Sequence, residues 1–284
     1  MATTRSATRL EAGRRVFSRV LVGVDGSQQA LEAARQGALL QDVDGQLTLF
    51  AVWDTVPVIV GGPTTVARYE FDETLQRTSA EKALFAARDY VAPYTAAIGK
   101  LVRGAPVAKL LDEIERDEHT LVVVGSSGIG RLLGIVEGAV ATEVVHKAPC
   151  SVLVARPVDD GVPRRVVVGV DGSIESAAAY AAARYLAQRF DAELRAVVAW
   201  GGKEINERLV AAITDGRHDD RREKPADALA AAAESADLVI VGSRGLHGVR
   251  ALGSVSERVA HTAACSTLVV REPAWQRVAE ELGR

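Results

Sequence analysis

LVVVGSSGIGRLLGIVEGAVATEVVHKAPCSVLVA, residues 121–155, is the stretch that decides the fold. Leu121 to Val124 form an unbroken apolar run, as expected of a parallel strand buried on both faces. Gly125 ends the run, and further glycines follow at Gly128, Gly130, Gly134 and Gly138. A segment of helical period comes next (Val140, Val144, Val145), and then a second apolar run over 151–154. Strand, glycine loop, helix and strand make a right-handed crossover unit. In open parallel sheets, ligands lie beyond the carboxyl ends of such strands. A glycine loop entering a helix presents backbone N–H groups and the positive end of the helix dipole, which suits phosphate.

The stretch occurs twice. Residues 238–270 read LVIVGSRGLHGVRALGSVSERVAHTAACSTLVV, pairing GSSG with GSRG, His146 with His261 and Cys150 with Cys265. A second block also recurs, VLVGVDGS at 20–27 and VVVGVDGS at 166–173. Two ordered blocks, each present twice, define an internal duplication. Asp25 and Asp171 lie 146 residues apart but Gly125 and Gly242 only 117, so the second repeat is shorter by 29 residues.

Alternation of strand and helix signals predicts an α/β fold of two tandem, doubly wound, parallel five-stranded sheets, the second lobe truncated. The expected layout is a disordered tail over 1–17, a first domain over 18–157, a second over 164–272, and a tail with a short helix over 273–284. In the first repeat we read strands over 18–25, 46–53, 97–103, 121–124 and 151–154, with helices over 28–40, 68–92 and 106–117. A loop containing Pro57, Gly61, Gly62 and Pro63 separates the second strand from the long helix. In the second repeat a helix over 174–190 and a strand over 193–200 are clear. Residues 201–224 are polar and poorly periodic, which leaves the third strand weakly marked.

Composition excludes several classes. With 48% hydrophobic and 25% charged residues the chain is globular, and a net charge of −3 gives no support for nucleic-acid binding. No apolar run approaches the ~20 residues of a membrane span, and the N-terminus lacks the apolar core of a signal peptide. Two cysteines before equivalent strands form no disulfide framework, and no Cys/His cluster has metal spacing. A reducing cytoplasm is the expected compartment. His146 and His261, near helix C-termini, are read as dipole partners. The cysteines are read as small residues entering buried strands, and Trp53 and Trp200 as packing.

The paired VGVDGS blocks, GSSG/GSRG, GSVSERV and the closing SVLV/STLVV together resemble the universal stress protein family in its tandem form, over nearly all of 19–270. The chain has neither a P-loop nor a dinucleotide fingerprint. The resemblance implies strand order 3-2-1-4-5 in each lobe and ATP at the carboxyl edge of the sheet. It implies Val24, Asp25 and Val52 at adenine and ribose, and Val124, Gly125 and Gly128 along the phosphates. Gly138 and the N–H groups of Ala139 and Val140 would close on the outer phosphates. In the second lobe the corresponding residues are Val170, Asp171, Ala199, Val241, Gly242, Gly245, Gly253, Ser254 and Val255. The resemblance further implies fifth strands that pair lobe to lobe and chain to chain, giving a homodimer, and a signalling partner of unknown identity.

Each repeat departs from the family signature G-x2-G-x9-G-[ST]. The first keeps the spacing but has Ala139 for the hydroxyl residue, and Glu137 sets a carboxylate beside the phosphates unless it holds Mg2+. The second has Ser254, but only seven residues separate Gly245 from Gly253. On these counts the first lobe is the favoured site. The expected function is nucleotide-dependent stress signalling without catalysis. The alternatives are a nucleotide-free interaction scaffold and a slow ATP hydrolase using Glu137.

Overall fold

The computed structural model describes residues 16–54, 59–60, 67–68, 73–126, 139–158, 161–201, 205–243 and 253–271. The first lobe runs β1 (Arg19–Val24), α1 (Gln28–Leu40), β2 (Gln46–Trp53), β3 (Ile59–Val60), β4 (Ala67–Arg68), α2 (Glu73–Val91), β5 (Ala97–Arg103), α3 (Pro106–Arg116), β6 (Leu121–Gly125), α4 (Ala139–Lys147) and β7 (Ser151–Ala155). The second runs β8 (Arg165–Gly169), α5 (Ile174–Phe190), β9 (Glu193–Ala199), α6 (Glu207–Thr214), β10 (Asp219–Arg221), α7 (Pro225–Ala233), β11 (Leu238–Gly242), α8 (Ser254–Thr262) and β12 (Ser266–Val270).

Each lobe has the expected 3-2-1-4-5 order, but the two sheets are one. The full order is β10-β9-β8-β11-β12-β7-β6-β1-β2-β5. Within this sheet all neighbours inside a lobe are parallel, and the lobes join where β7 and β12 pair antiparallel, Leu153 opposite Leu268; β3 and β4 form a separate antiparallel pair. The join bears out the expected lobe-to-lobe pairing of the fifth strands and makes the two five-stranded sheets continuous. Only the expected chain-to-chain pairing through these strands is corrected: β7 lies between β6 and β12, and β12 between β11 and β7. Both edges of each fifth strand are therefore filled within the chain, and the open edges are β5 and β10.

The strands alternate between two apolar layers that both cross the lobe boundary. Val20, Val22, Val166 and Val168 face α1, α2 and α5 on one side of the sheet, in a core that takes in Ala33, Ala87, Ala179 and Leu186. Leu21, Val122, Val167 and Val239 face α3, α4, α7 and α8 on the other, with Leu110, Val144, Leu229 and Val259. Small residues set the helix–sheet spacing. A Cβ on Gly37 would stand 2.8 Å from Val22 Cγ2. Val16 and Phe17 are also buried, and Phe17 N–H donates to Asp42 Oδ2 at 2.9 Å, so packing begins ahead of β1.

The truncation is localised. In place of the 19-residue α2 the second lobe has the 8-residue α6, and β10 is a three-residue strand against β9. Residues 201–224 thus hold a short helix and the weakly marked third strand. Their polarity follows from their place at the sheet edge, where one side meets water. The expected helix over 274–282 lies outside the described residues. Among the described residues no helix is long and apolar enough to cross a membrane.

Candidate functional site

The repeated D-G-S sequence builds the same turn in both lobes. Asp25 Oδ1 accepts from the backbone N–H of Ser27 at 2.9 Å and from its hydroxyl at 2.6 Å, and Ser27 Oγ accepts from Ala30 N–H at 3.1 Å. Asp171 Oδ1 accepts in the same way from Ser173, whose Oγ caps Ser176 N–H at 3.1 Å. Gly26 and Gly172 carry φ of +83° and +79°, a conformation that strains any side-chain-bearing residue. Serine is the helix cap and aspartate the brace of the cap. A carboxylate offers about four acceptor positions, of which the turn uses two.

The glycines that end the fourth strands serve packing first. A Cβ on Gly242 would lie 2.2 Å from the Glu175 carbonyl oxygen, and one on Gly125 2.9 Å from the Gln29 backbone. The first turns of α5 and α1 press on these positions. That close approach by itself requires the absence of a side chain at both positions.

In the second lobe, strand ends and helix starts enclose a cleft of about 630 Å³ at the carboxyl edge of the sheet. Val170, Ala199 and Val241 form an apolar floor, each at most 6% exposed. Asp171 stands on one side, and Gly253, Ser254 and Val255 at the start of α8 on another. Gly253 supplies no side-chain cap, so the first N–H groups of α8 lack helical partners and their dipole end faces the cleft. Ser256 Oγ donates to the Gly242 carbonyl at 2.7 Å and ties α8 to β11. Eight of the nine residues expected in this lobe therefore meet in one place. Gly245 is the exception and lies outside the described residues.

The first-lobe residues occupy equivalent positions. Val24 and Val124 are buried, Val52 is half-buried beside β5, Asp25 braces its turn, and Val140 packs in the first turn of α4. Ala139 opens that helix. Gly128, Gly138 and Glu137 lie outside the described residues.

Sequence reasoning missed three contributors. Ser256 and Glu257 follow directly on Ser254 and Val255, and one more turn of helical period would have included them. His146 had no linear signal, because it comes from the other lobe. Its Nε2 lies 3.0 Å from Glu257 Oε1, and both residues line the cleft. The pseudosymmetric pair, Thr142 Oγ1 and His261 Nε2, is 3.4 Å apart. Both histidines do end their helices, but their partners are across the lobe boundary.

A polar cluster lies apart from the cleft. Glu113, Asp117 and His119 bring potential ligand atoms within 4.8 Å of one another. Lys100 Nζ already bridges the two carboxylates, 2.6 Å from Glu113 Oε1, and Arg116 also pairs with Glu113. The internal cations meet the charge a metal would neutralise. Burial drives the His119 pKa down to about 4. Cys265 is 5% exposed, and burial pushes its thiol up to about 11, which makes it a poor thiolate. Arg103 stacks on Trp53 at 5.2 Å, and Trp200 Nε1 donates to Asp220 Oδ1 at 2.7 Å, so both tryptophans are engaged in packing.

Comparison with known proteins agrees with this architecture. A model described as "Universal stress protein family" matches residues 17–156 and 203–271. A universal stress protein of Mycobacterium tuberculosis is 32% identical over 298 residues, covering 89% of this chain and 97% of the relative. One from Mycolicibacterium smegmatis is 30% identical over 286 residues, covering 89% and 96%. The crystal structure of a universal stress protein from Archaeoglobus fulgidus superposes with a TM-score of 0.66 at 19% identity, over 89% of this chain and 96% of that one. With both halves matched and the paired-lobe fold shared, the chain belongs to the universal stress protein family.

Proposed function

We propose that the protein binds an adenine nucleotide, of which ATP with Mg2+ is one form, in the second-lobe cleft, and that occupancy alters its surface in stress signalling. One observation carries the reading: the residues expected at adenine, ribose and phosphate converge on a single cleft with an apolar floor, a carboxylate and an open helix N-terminus. The apolar floor suits a base. Asp171 suits ribose hydroxyls, because an ionised carboxylate only accepts, and Ser254 with the first N–H groups of α8 suits phosphate oxygens. The sequence favoured the first lobe, whose glycine loop lies outside the described residues; the second-lobe cleft is the one whose walls are described. We infer binding without turnover, since among the described residues lining the cleft each carboxylate already has a hydrogen-bonded or structural role or stands beside a helix start.

The test is to purify the protein without added nucleotide, denature it and chromatograph the supernatant. The expected result is about one adenine nucleotide per chain, or uptake of one on addition. Protein that arrives empty and takes up no ATP, ADP or AMP at millimolar concentration overturns the reading and favours an interaction scaffold.

A further inference from the structure

The second-lobe cleft is not made by the second lobe alone. Its wall includes His146, from the last turn of α4 in the first lobe. Among the described residues lining the cleft, His146 is the one side chain able to carry positive charge; the ionisable others are Asp171, Glu175 and Glu257. We propose that His146 is the anion-facing group of this site and that Glu257 positions it, so that the ligand of one lobe is held partly by the other. The proposal rests on the nucleotide reading given above.

The geometry supports it from three sides. Glu257 lies in the first turn of α8, directly after Ser254, Val255 and Ser256. A 3.0 Å contact from its Oε1 to His146 Nε2 therefore holds the imidazole within about one turn of the N–H groups that suit a phosphate. An anion there meets the positive helix end on one side and the imidazole on another. Second, the Glu257 carboxylate and the carboxyl end of α4, where His146 sits, both set negative charge beside the imidazole. Third, the contact is confined to this lobe. The symmetry-related pair puts Thr142 where Glu257 stands, so His261 lacks a carboxylate partner from α4. The two pairs hold equivalent places in the repeats, and only that of the second lobe sets a carboxylate against the imidazole.

The full-length chain is titrated by calorimetry at pH 6 with adenosine and with AMP, which differ in the phosphate. Wild-type protein is expected to bind AMP more tightly. His146→Ala should cut the AMP-to-adenosine affinity ratio about three- to ten-fold with adenosine binding unchanged, and His146→Arg should restore most of it. Glu257→Gln, which keeps an acceptor but not the charge, should cut the ratio about two-fold. If His146→Ala leaves the ratio at its wild-type value, whether both affinities fall together or neither changes, the assignment is wrong and His146 is structural. If wild-type protein binds neither compound, the nucleotide reading itself fails.

Discussion

Arg156 and Arg271 are the same residue of the two repeats, and each caps the carboxyl end of the other lobe's helix. Arg156 Nη2 donates to the Ala260 carbonyl at 2.7 Å and Nη1 to Cys265 at 3.1 Å; Arg271 donates to Val145 and Ala148. Their backbone N–H groups also exchange partners, Arg156 with Ser266 Oγ at 3.0 Å and Arg271 with Ser151 Oγ at 3.1 Å. The last carbonyls of a helix have no partners of their own, so these guanidinium groups satisfy acceptors that the lobe junction would otherwise bury.

Removing the clamp should destabilise both lobes together. Arg271 is 5% exposed, and Arg271→Ala leaves buried helix-end carbonyls unpaired, at a cost of about 2–4 kcal/mol. Urea unfolding followed by fluorescence and by circular dichroism should show one lowered, coincident transition. Two separated transitions in the wild type would show that the continuous sheet does not make the lobes one folding unit.

Gly242→Ala should be among the most damaging small substitutions. Its methyl group would sit 2.2 Å from the Glu175 carbonyl oxygen, forcing α5 away from the sheet; the matching distance at Gly125 is 2.9 Å. A loss of about 2–4 kcal/mol is expected for Gly242→Ala and a smaller one for Gly125→Ala, measured as shifts in denaturation midpoint. Equal effects would show that α5 yields more readily than the contact implies.

Asparagine at the aspartate positions separates the lobes. It can still brace the D-G-S turn through its amide oxygen, but it lacks the charge that strengthens bonds to ribose hydroxyls. Asp171→Asn should weaken adenine-nucleotide binding about ten-fold with stability nearly unchanged, while Asp25→Asn leaves binding at wild-type strength. The reverse result would place the functional site in the first lobe.

His119 sets a pH dependence of stability. It is 4% exposed, both ring nitrogens lack hydrogen-bond partners, and burial lowers its pKa to about 4. The unfolded chain takes up its proton near the ordinary pKa of about 6.5. Between those values only the unfolded state is protonated, so stability is retained above the upper value and lost as pH falls toward the lower. His119→Ala, which places at 119 the residue that the second repeat has at Ala236, should flatten that slope by about 2–3 kcal/mol across the window. Parallel slopes for the two proteins would rule out this assignment.

Much of this was legible in the chain alone, for local reasons. Buried parallel strands are unbroken apolar runs, so Leu121 to Val124 and Leu238 to Val241 were unmistakable. Ser27 and Ser173 marked helix starts because capping is a contact between near neighbours. The duplication set the strand order of each lobe through the family resemblance, and it placed Val170, Asp171, Ala199 and Ser254 in one candidate site. The packing role of Gly125 and Gly242 was not legible, because nothing local to a glycine says which backbone approaches it.

Sequence by itself thus determined what depends on period and near neighbours: two α/β repeats, the shorter second one, the D-G-S turns and the family. The resemblance implied that the fifth strands pair lobe to lobe; tertiary structure alone decided the register and the side-chain contacts of that meeting. Leu153 pairs with Leu268 to fuse the sheets, Arg156 and Arg271 cross-cap, and His146 enters the cleft beside Glu257. These partners are more than a hundred residues apart, and no side-chain spacing encodes a contact that only the pairing of two fifth strands brings about.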